Sequence, residues 1–548
     1  MNYVVYHLHT ELSLTDSCTN YKLYVDKAKE LGQTALCFSE HGNIFNWIEK
    51  KMYCEVNGIK YLHGIEIYLT EQLEPKKRDN YHTILIAKNQ DGFKELNTLI
   101  DLSTQEDHFY YKPRISFDEF KNISDNVIKI SACLASPLNV LRDEAMVSLY
   151  DYLEVQPHIY SEEQKEYNKW LSKMSVKYNI PLIAGTDTHS LDGYKARCRS
   201  VLQKGKNIKF ENEDDFDLTY KSYTELYEMF VRQGVLSESE ILSAIDNTNK
   251  MAVTVESFEL DTSFKYPYLY GDDDEVIFKK RINQMYKDKV KNGVIKKNPE
   301  YITRVQEEFR VFKKLGMIGF MLFMSELICW CWDHGIPVGP CRGSVGGSVI
   351  AYLTDIIDVD PIIWNTVFSR FCNEDRKEIG DIDVDIAPSQ RQLVYDHIID
   401  RFGTDKTAYI LAIGTVADKG TIDLIGRGLN TYRKDDLPKF KNFMQQCGIW
   451  EDSFETENPY TLSAIAQLKK DFESNPEKAM ASRPDIFYFF DGLVNTAVSQ
   501  SMHPAGIIAS PVTLPDNYGT FWNKGNRILS INMEEVHEVS LVKYDILG

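Results

Sequence analysis

Nine residues able to donate N, O or S to a cation are spread over the first 190 positions: His7, His9, Asp16, His41, Glu66, His82, Cys133, Asp187 and His189. Their spacing says more than their number. His7 and His9 close the apolar run Tyr3–His7, and alternate residues of a strand point to one side, so both imidazoles can reach one ion. His41 follows the run Thr34–Phe38, Glu66 sits in Gly64-Ile65-Glu66, and His82 precedes Ile84–Ala87. Cys133 follows Val127–Ile130, and Asp187 and His189 follow Leu182–Ala184. A lone histidine at a strand end is usually structural, but nine donors at successive strand ends are hard to explain that way. Mixed imidazole and carboxylate donors suit Zn²⁺, Mn²⁺ or Fe, two or three ions together. Such sites activate water for attack on phosphorus.

A second group lies further on. Gly339-Pro340-Cys341-Arg342-Gly343-Ser344-Val345-Gly346-Gly347-Ser348 precedes an apolar segment. Small residues let backbone N–H groups approach phosphate oxygens, a following helix N-terminus favours anions, and Arg342 adds a charged fork. The loop lacks the Gly-Lys-Ser/Thr ending of a Walker A loop. Asp381, Asp383 and Asp385 then alternate with Ile382 and Val384, so as a strand they share one face. Like charges so placed need cations, and Mg²⁺ is the natural one. The plainer reading is an acidic edge strand that deters aggregation. Asp545 is the one carboxylate of another apolar stretch, Leu541–Gly548. Two carboxylates on one strand and a third on another can hold two Mg²⁺ for phosphoryl transfer.

These residues need a scaffold, and 548 residues suffice for three or four domains. In the first ~260 residues, short apolar runs alternate with helical patterns such as Tyr21–Leu31 and Glu162–Tyr178, which predicts parallel strands with crossover helices. Gly271–Glu275 reads as a boundary. The net charge of −19 argues against a surface coated in basic charge. Positive charge is local: Val276–Lys314 holds twelve Lys+Arg against four Asp+Glu, and Lys419–Lys441 holds six against three. Either stretch also reads as a solvated helix face, but DNA contact would have to be confined to them and be salt-sensitive. No apolar run approaches the length of a membrane helix, no secretory signal opens the chain, and ten scattered cysteines without a CxxC pair fit a reducing compartment.

The segment His7-Leu8-His9-Thr10 through Asp16, with Ser39-Glu40-His41-Gly42-Asn43, Cys133 in Ser131-Ala132-Cys133-Leu134, and Thr186-Asp187-Thr188-His189, resembles the PHP (polymerase and histidinol phosphatase) family. Glu40 stands where that family has Asp. The resemblance implies metal at all nine positions, Zn²⁺ or Mn²⁺, and a phosphoesterase or 3′–5′ exonuclease activity, although PHP domains also serve as scaffolds. The blocks Leu315–Phe320, Gly335–Pro340, Asp358-Val359-Asp360-Pro361, Phe368-Ser369-Arg370-Phe371, Gly380-Asp381-Ile382-Asp383, Gly414–Lys419 and Met502–Ile507 resemble, in order, the C family of bacterial replicative DNA polymerases. Cys341 replaces the family's Gly, Gly380 its Pro and Asp423 its Arg, and Pro504 is a further departure.

This second resemblance implies an α/β multidomain chain. A PHP-type α/β barrel (1–260) leads into a polymerase β-like nucleotidyltransferase palm (261–429 and 495–548) with an inserted helical thumb (430–494). It assigns two catalytic Mg²⁺ to Asp381, Asp383 and Asp545. It makes Arg342, Gly343, Ser344, Ser348, Lys419, Arg427 and His503 candidates for binding nucleotide or phosphate. The implied activity is DNA-directed DNA polymerisation from primer-template DNA and dNTPs, in the cytoplasm of a bacterium or a phage-infected host, with no membrane. The family continues into fingers, a clamp-binding region and an OB-fold, whereas the sequence ends three residues after Asp545. The expectation is a natural split or a fragment, with fingers and C-terminal domains on a second polypeptide and a sliding clamp engaged through it. Two other functions stand beside polymerisation: a PHP phosphoesterase, and a non-catalytic assembly subunit.

Overall fold

The computed structural model describes residues 2–74, 76–208, 216–373 and 382–548. Contacts divide the chain into two compact units, Met1–Phe258 with Ile413–Ser501, and Glu259–Ala412 with Met502–Gly548.

In the first unit β1 (Ala35–Cys37) pairs in parallel with β2 (Lys60–Leu62). Next come β3 (Gly64–Thr70), β4 (Tyr81–Ala87), β5 (Arg114–Ser116) and β6 (Val127–Ile130), which form a sheet in the order β5-β3-β4-β6. The last pair, β7 (Leu153–Val155) and β8 (Leu182–Ala184), is parallel. Isolated bridges join these pieces: Val5 to Leu36, Leu8 to Thr188, His41 to Glu66 and Ile130 to Tyr152. Tyr3–His7 is therefore not the regular strand that its apolar run predicts; it is extended chain held by single bridges. Nor are all the pairings parallel, because β4 runs antiparallel to both β3 and β6. Ile84 and Ile86 from β4, Ile128 and Ile130 from β6, and Leu62 and Ile183 meet in one core.

The helices of 413–501 belong to this unit. Asp418–Asp435 crosses Gly193–Gly205 so closely that a Cβ on Gly428 would meet the Val201 carbonyl at 2.3 Å, and one on Gly205 the Leu424 carbonyl at 2.6 Å. Phe440, Phe443, Ile465 and Phe489 complete a core with Val201 and Leu202. Asp418–Asp435 is one uninterrupted helix that runs through Asn430, where the resemblance implies that the inserted segment begins.

The second unit is built on six strands: β9 (Asp383–Asp385), β10 (Thr407–Thr415), β11 (Ala497–Ala509), β12 (Thr520–Asn523), β13 (Asn526–Asn532) and β14 (Lys543–Leu547). They are ordered β12-β13-β10-β11-β14-β9. β14 is antiparallel to β11 and parallel to β9. The helix Ile318–Asp333 packs on this sheet through aromatic contacts, Phe323 and Phe320 lying 5.2 and 5.4 Å from the Tyr544 ring. Met317–Met324 is fully buried, as its apolar run predicts. Among the described residues no single helix is long and apolar enough to cross a membrane.

Candidate metal centre and carboxylate strand pair

The first unit brings its nine donors together. Glu66, alone among apolar neighbours in the wholly buried β3, stands at the middle. Its Oε2 lies 3.1 Å from His9 Nε2, 3.0 Å from His41 Nδ1 and 3.7 Å from His7 Nε2, and its Oε1 touches His82 Nδ1. Asp187 Oδ1 lies 3.1 Å from His7 Nε2 and 3.3 Å from His9 Nε2. Asp16 Oδ2 lies 2.9 Å from His41 Nε2 and 3.5 Å from His189 Nε2, and Cys133 Sγ lies 3.6 Å from His82 Nδ1. Three overlapping triads result: His9/His41/His189, His7/His9/Glu66 and Glu66/His82/Cys133. Thr15, Ala132 and Asp187 all carry positive φ, at 69°, 61° and 45°. Backbone strain of this kind collects where side chains must be aimed.

Around the donors lies a shell that the sequence reading did not single out. His7 Nδ1 donates to Glu154 Oε1 at 2.8 Å, which leaves Nε2 to the centre. Glu154 also accepts from the Tyr6 hydroxyl at 2.8 Å and the Gln156 amide at 2.7 Å. Gly185 makes room for it, since a Cβ there would meet the Glu154 carboxyl carbon at 2.2 Å. The available signal was one carboxylate inside Leu153-Glu154-Val155. His189 Nδ1 donates to the Asp187 carbonyl at 2.8 Å, and Arg199 donates to Asp16 Oδ1 at 2.6 Å. Glu40 is not among the donors: it accepts from the Thr10 backbone N–H at 3.0 Å, the Ser13 hydroxyl at 2.6 Å and Lys50 Nζ at 2.6 Å. Ser13 in turn holds His9 Nδ1 at 3.1 Å and the His41 backbone N–H at 3.1 Å.

The electrostatics call for positive charge. Burial works against ionising Asp16, Glu66 and Asp187. Yet His189 and Arg199 hold Asp16 well below the usual carboxylate range, as His82 and His41 do for Glu66, and His7 and His189 for Asp187. Burial would lower His41, but Glu66 and Asp16 push it up to about 9. His7 Nε2, His9 Nε2, His41 Nδ1 and both Glu66 oxygens are buried without a hydrogen bond of good geometry. Converging lone pairs with no mutual donor geometry are costly in themselves. The donor set therefore fits metal cations.

The second unit places Asp383 and Asp545 opposite each other on the parallel strands β9 and β14. Asp381 lies outside the described residues. Arg342 lies beside this pair, its Nη1 3.1 Å from Asp385 Oδ1 and its Nε 3.6 Å from Asp383 Oδ2. Lys543 Nζ is 2.8 Å from Asp545 Oδ2. The glycines of the loop fit closely: Gly343, with φ +77°, has its Cβ position 3.5 Å from Asp383 Oδ2, and a Cβ on Gly339 would meet that of Asp385 at 2.9 Å. Ser344 opens the short turn Ser344–Gly347.

Ser348 is placed differently from these. Its hydroxyl donates to the buried Glu308 at 2.8 Å, and Glu308 also accepts from the backbone N–H groups of Val349 and Ile350 at 2.9 and 3.0 Å. The start of the helix Val349–Leu353 thus already holds an internal carboxylate, a residue that lies 31 or more positions upstream of the loop. The anion site expected at that helix end is taken by the protein itself.

Residues 6–182 match the PHP domain family, and residues 276–548 match the bacterial DNA polymerase III alpha NTPase domain. The chain is 30% identical over its whole length to the DNA polymerase III subunit alpha of Aquifex aeolicus (strain VF5), covering 51% of that protein. It is 27% identical to the subunit of the same name from Treponema pallidum (strain Nichols), again over its whole length and 47% of the relative. The chain thus carries a PHP domain and a bacterial DNA polymerase III alpha NTPase domain. It spans about half the length of the curated relatives it matches.

Within this family setting the remaining candidates fall in different places. His503 lies on β11, in the second unit with Asp383 and Asp545. Lys419 and Arg427 lie on Asp418–Asp435 in the first unit. Arg427 is exposed, and Lys419 pairs with Glu473 on the helix Leu462–Ser474. Asp423, standing where the family has Arg, pairs with Lys469 of that helix at 2.8 Å.

Proposed function

We propose that this chain is the N-terminal portion of a replicative DNA polymerase and performs nucleotidyl transfer to a primer 3′-hydroxyl. The observation that carries this reading is Asp383 in register with Asp545, in a region matching the polymerase III alpha NTPase domain. With Asp381 they form the carboxylate set for two Mg²⁺, which would lower the pKa of the 3′-hydroxyl and neutralise triphosphate charge. Arg342, Gly343 and Ser344 form the phosphate side of the site, and His503, Lys419 and Arg427 are further candidates for nucleotide or primer contact. In this reading the six-stranded sheet belongs to the palm, 430–494 is the thumb, and the bridged strands of the first unit are a distorted PHP barrel. The partners are primer-template DNA, dNTPs, a second polypeptide carrying fingers and later domains, and through it a sliding clamp. Primer extension with Mg²⁺, with and without that polypeptide, tests it. Equal extension by an Asp383→Asn/Asp545→Asn variant overturns it.

A second activity is supported by the convergence of nine donors on buried, unbonded lone pairs. Two or three Zn²⁺ or Mn²⁺ held there would supply a hydroxide for phosphodiester hydrolysis. His7, His9 and Glu66 are held by Glu154, Ser13 and β3 at fixed positions, and Arg199 keeps Asp16 ionised. Release of nucleotides from single-stranded DNA by the metal-loaded protein tests this activity; a rate unaltered by His9→Ala refutes it.

A further inference from the structure

One side chain away from the metal centre, the first unit carries an aromatic and basic turn, Phe109-Tyr110-Tyr111-Lys112-Pro113-Arg114. Phe109 is 49% exposed and Tyr111 68%. The Tyr110 N–H donates to the Lys112 carbonyl at 3.2 Å and closes the turn. Tyr111 at its tip has φ +60°, a conformation that bulky side chains seldom adopt. The Tyr110 ring meets Tyr111 edge to face at 4.8 Å, and the Arg78 guanidinium lies 4.7 Å from the centre of the Tyr111 ring. A strained backbone that presents large rings to water is the pattern of a site rather than of a packing surface.

Two contacts tie this turn to the metal donors. Pro113 packs on Gly42, next to His41, so tightly that a Cβ on Gly42 would meet Pro113 Cγ at 2.5 Å. Lys112 Nζ lies 5.1 Å from the centre of the Tyr68 ring, and Tyr68 stacks on His41 at 6.3 Å and meets His82 edge-on at 5.0 Å. The carboxylates nearby are engaged with other cations: Glu71 and Asp79 with Lys77, and Asp107 with His108. Among the described residues neither Arg78 nor Lys112 forms an ion pair.

We propose that this turn is the docking subsite for an unpaired DNA end. Tyr111 and Phe109 stack its bases, and Lys112 and Arg78 take the phosphates that lead to the donors. Every base has a π-face, so such stacking tolerates any sequence. The donors themselves are largely buried, which favours a single strand over a duplex. This subsite rests on the hydrolytic reading of the PHP domain and names its substrate class.

The test uses the full chain and a short single-stranded oligonucleotide with 5-iodouracil at its 3′ end and a phosphorothioate as its last linkage. Photocrosslinks are expected to map to Phe109–Tyr111. Tyr111→Ala is expected to weaken the crosslinking titration about tenfold, with Tyr111→Trp restoring it. Crosslinks that map elsewhere, or a titration unmoved by Tyr111→Ala, overturn the subsite. Hydrolysis is read separately on an unmodified oligonucleotide and on bis(p-nitrophenyl) phosphate. Crosslinking at the turn without hydrolysis of either upholds the subsite and refutes the hydrolytic reading. With hydrolysis, Tyr111→Ala is expected to lower the ratio of oligonucleotide to small-ester kcat/KM about tenfold, mainly through KM.

Discussion

The two acidic centres of this chain are built on opposite principles. In the first unit Glu66 is wholly buried, His7, His9 and Asp16 each have a protein partner behind them, and the donors face one another with unsatisfied lone pairs. In the second, Asp383 is about a quarter exposed while Asp545 is buried, and protein cations, Arg342 and Lys543, already stand beside the carboxylates. A deep, fully supported donor set suits metals that stay. A partly exposed and a buried carboxylate on neighbouring strands, both already neutralised in part by side chains, suit Mg²⁺ that arrives with a phosphate substrate and leaves with product. The contrast makes metal residence, rather than metal use, the property that separates the two units.

The largest effect expected from this contrast is on the strand pair of the second unit. Asp545→Asn should reduce primer extension by several kcal/mol of transition-state stabilisation, about a thousandfold, because one carboxylate of the metal set is lost. The tightly bound metal content of the protein should stay as it was. A fall in resident metal would show that the two centres are not independent and would break the comparison.

Acid should act on the closed unit. His63 is buried, donates to Asn97 Oδ1 at 2.9 Å and accepts from the Tyr61 hydroxyl at 3.0 Å, and burial pushes it down to about 4. Folded, it stays neutral where the unfolded chain, near 6.5, takes up a proton. The His63 contribution to stability is therefore whole above about pH 6.5 and is lost as pH drops toward 4, by about 3 kcal/mol. Denaturant melts of EDTA-treated protein should show a slope to which the likewise buried His158 also contributes, and His63→Phe should lessen it. An unchanged slope in the variant would place the acid sensitivity elsewhere.

A more moderate effect is expected behind the metal. Glu154→Gln keeps the shape but weakens the partner of His7, and should lower affinity for Zn²⁺ or Mn²⁺ about 10- to 100-fold. Titration against a chromogenic chelator measures this. Binding as tight as in the parent would mean that the shell around the donors is packing alone, and the contrast between resident and transient metal would lose its main support.

Most of the candidate donors were legible in the sequence because they flank apolar runs, as His7, His82, Cys133 and Asp187 do, and β6, β8 and the helix Glu162–Tyr178 run where the periodicity puts them. That Asp545 stands on a second strand was an expectation, but its register against Asp383 was not legible, since strand pairing across some 160 residues leaves no local mark. Glu154 and Glu308 were not singled out. One is a partner of His7 from 147 positions away, and the other caps a helix 41 positions downstream. Tyr3–His7 misled for a physical reason. An apolar alternating run predicts burial, which it has, whereas a regular ladder also needs a neighbour in register, and here only single bridges form. The placing of 413–501 with the first unit depends on Gly205 and Gly428 letting two helices approach, and a glycine's partner cannot be read from its own position.

The smallest effect separates two roles for one cation. Lys419 pairs with Glu473 on a surface where both side chains are at least half exposed. Such a pair contributes at most about 1 kcal/mol, because water screens it and two long side chains must be ordered to form it. Lys419→Ala should therefore leave the unfolding midpoint nearly unchanged. If Lys419 exchanges Glu473 for an incoming triphosphate, the same variant raises the KM for dNTP in primer extension while kcat holds, the mark of binding shared by ground and transition states. Glu473→Gln, which frees Lys419, should then lower that KM. If Glu473→Gln leaves KM unmoved and Lys419→Ala acts on neither constant, the pair is a tie between two helices and nothing more. Nucleotide or primer contact from Asp418–Asp435 would then fall to the exposed Arg427.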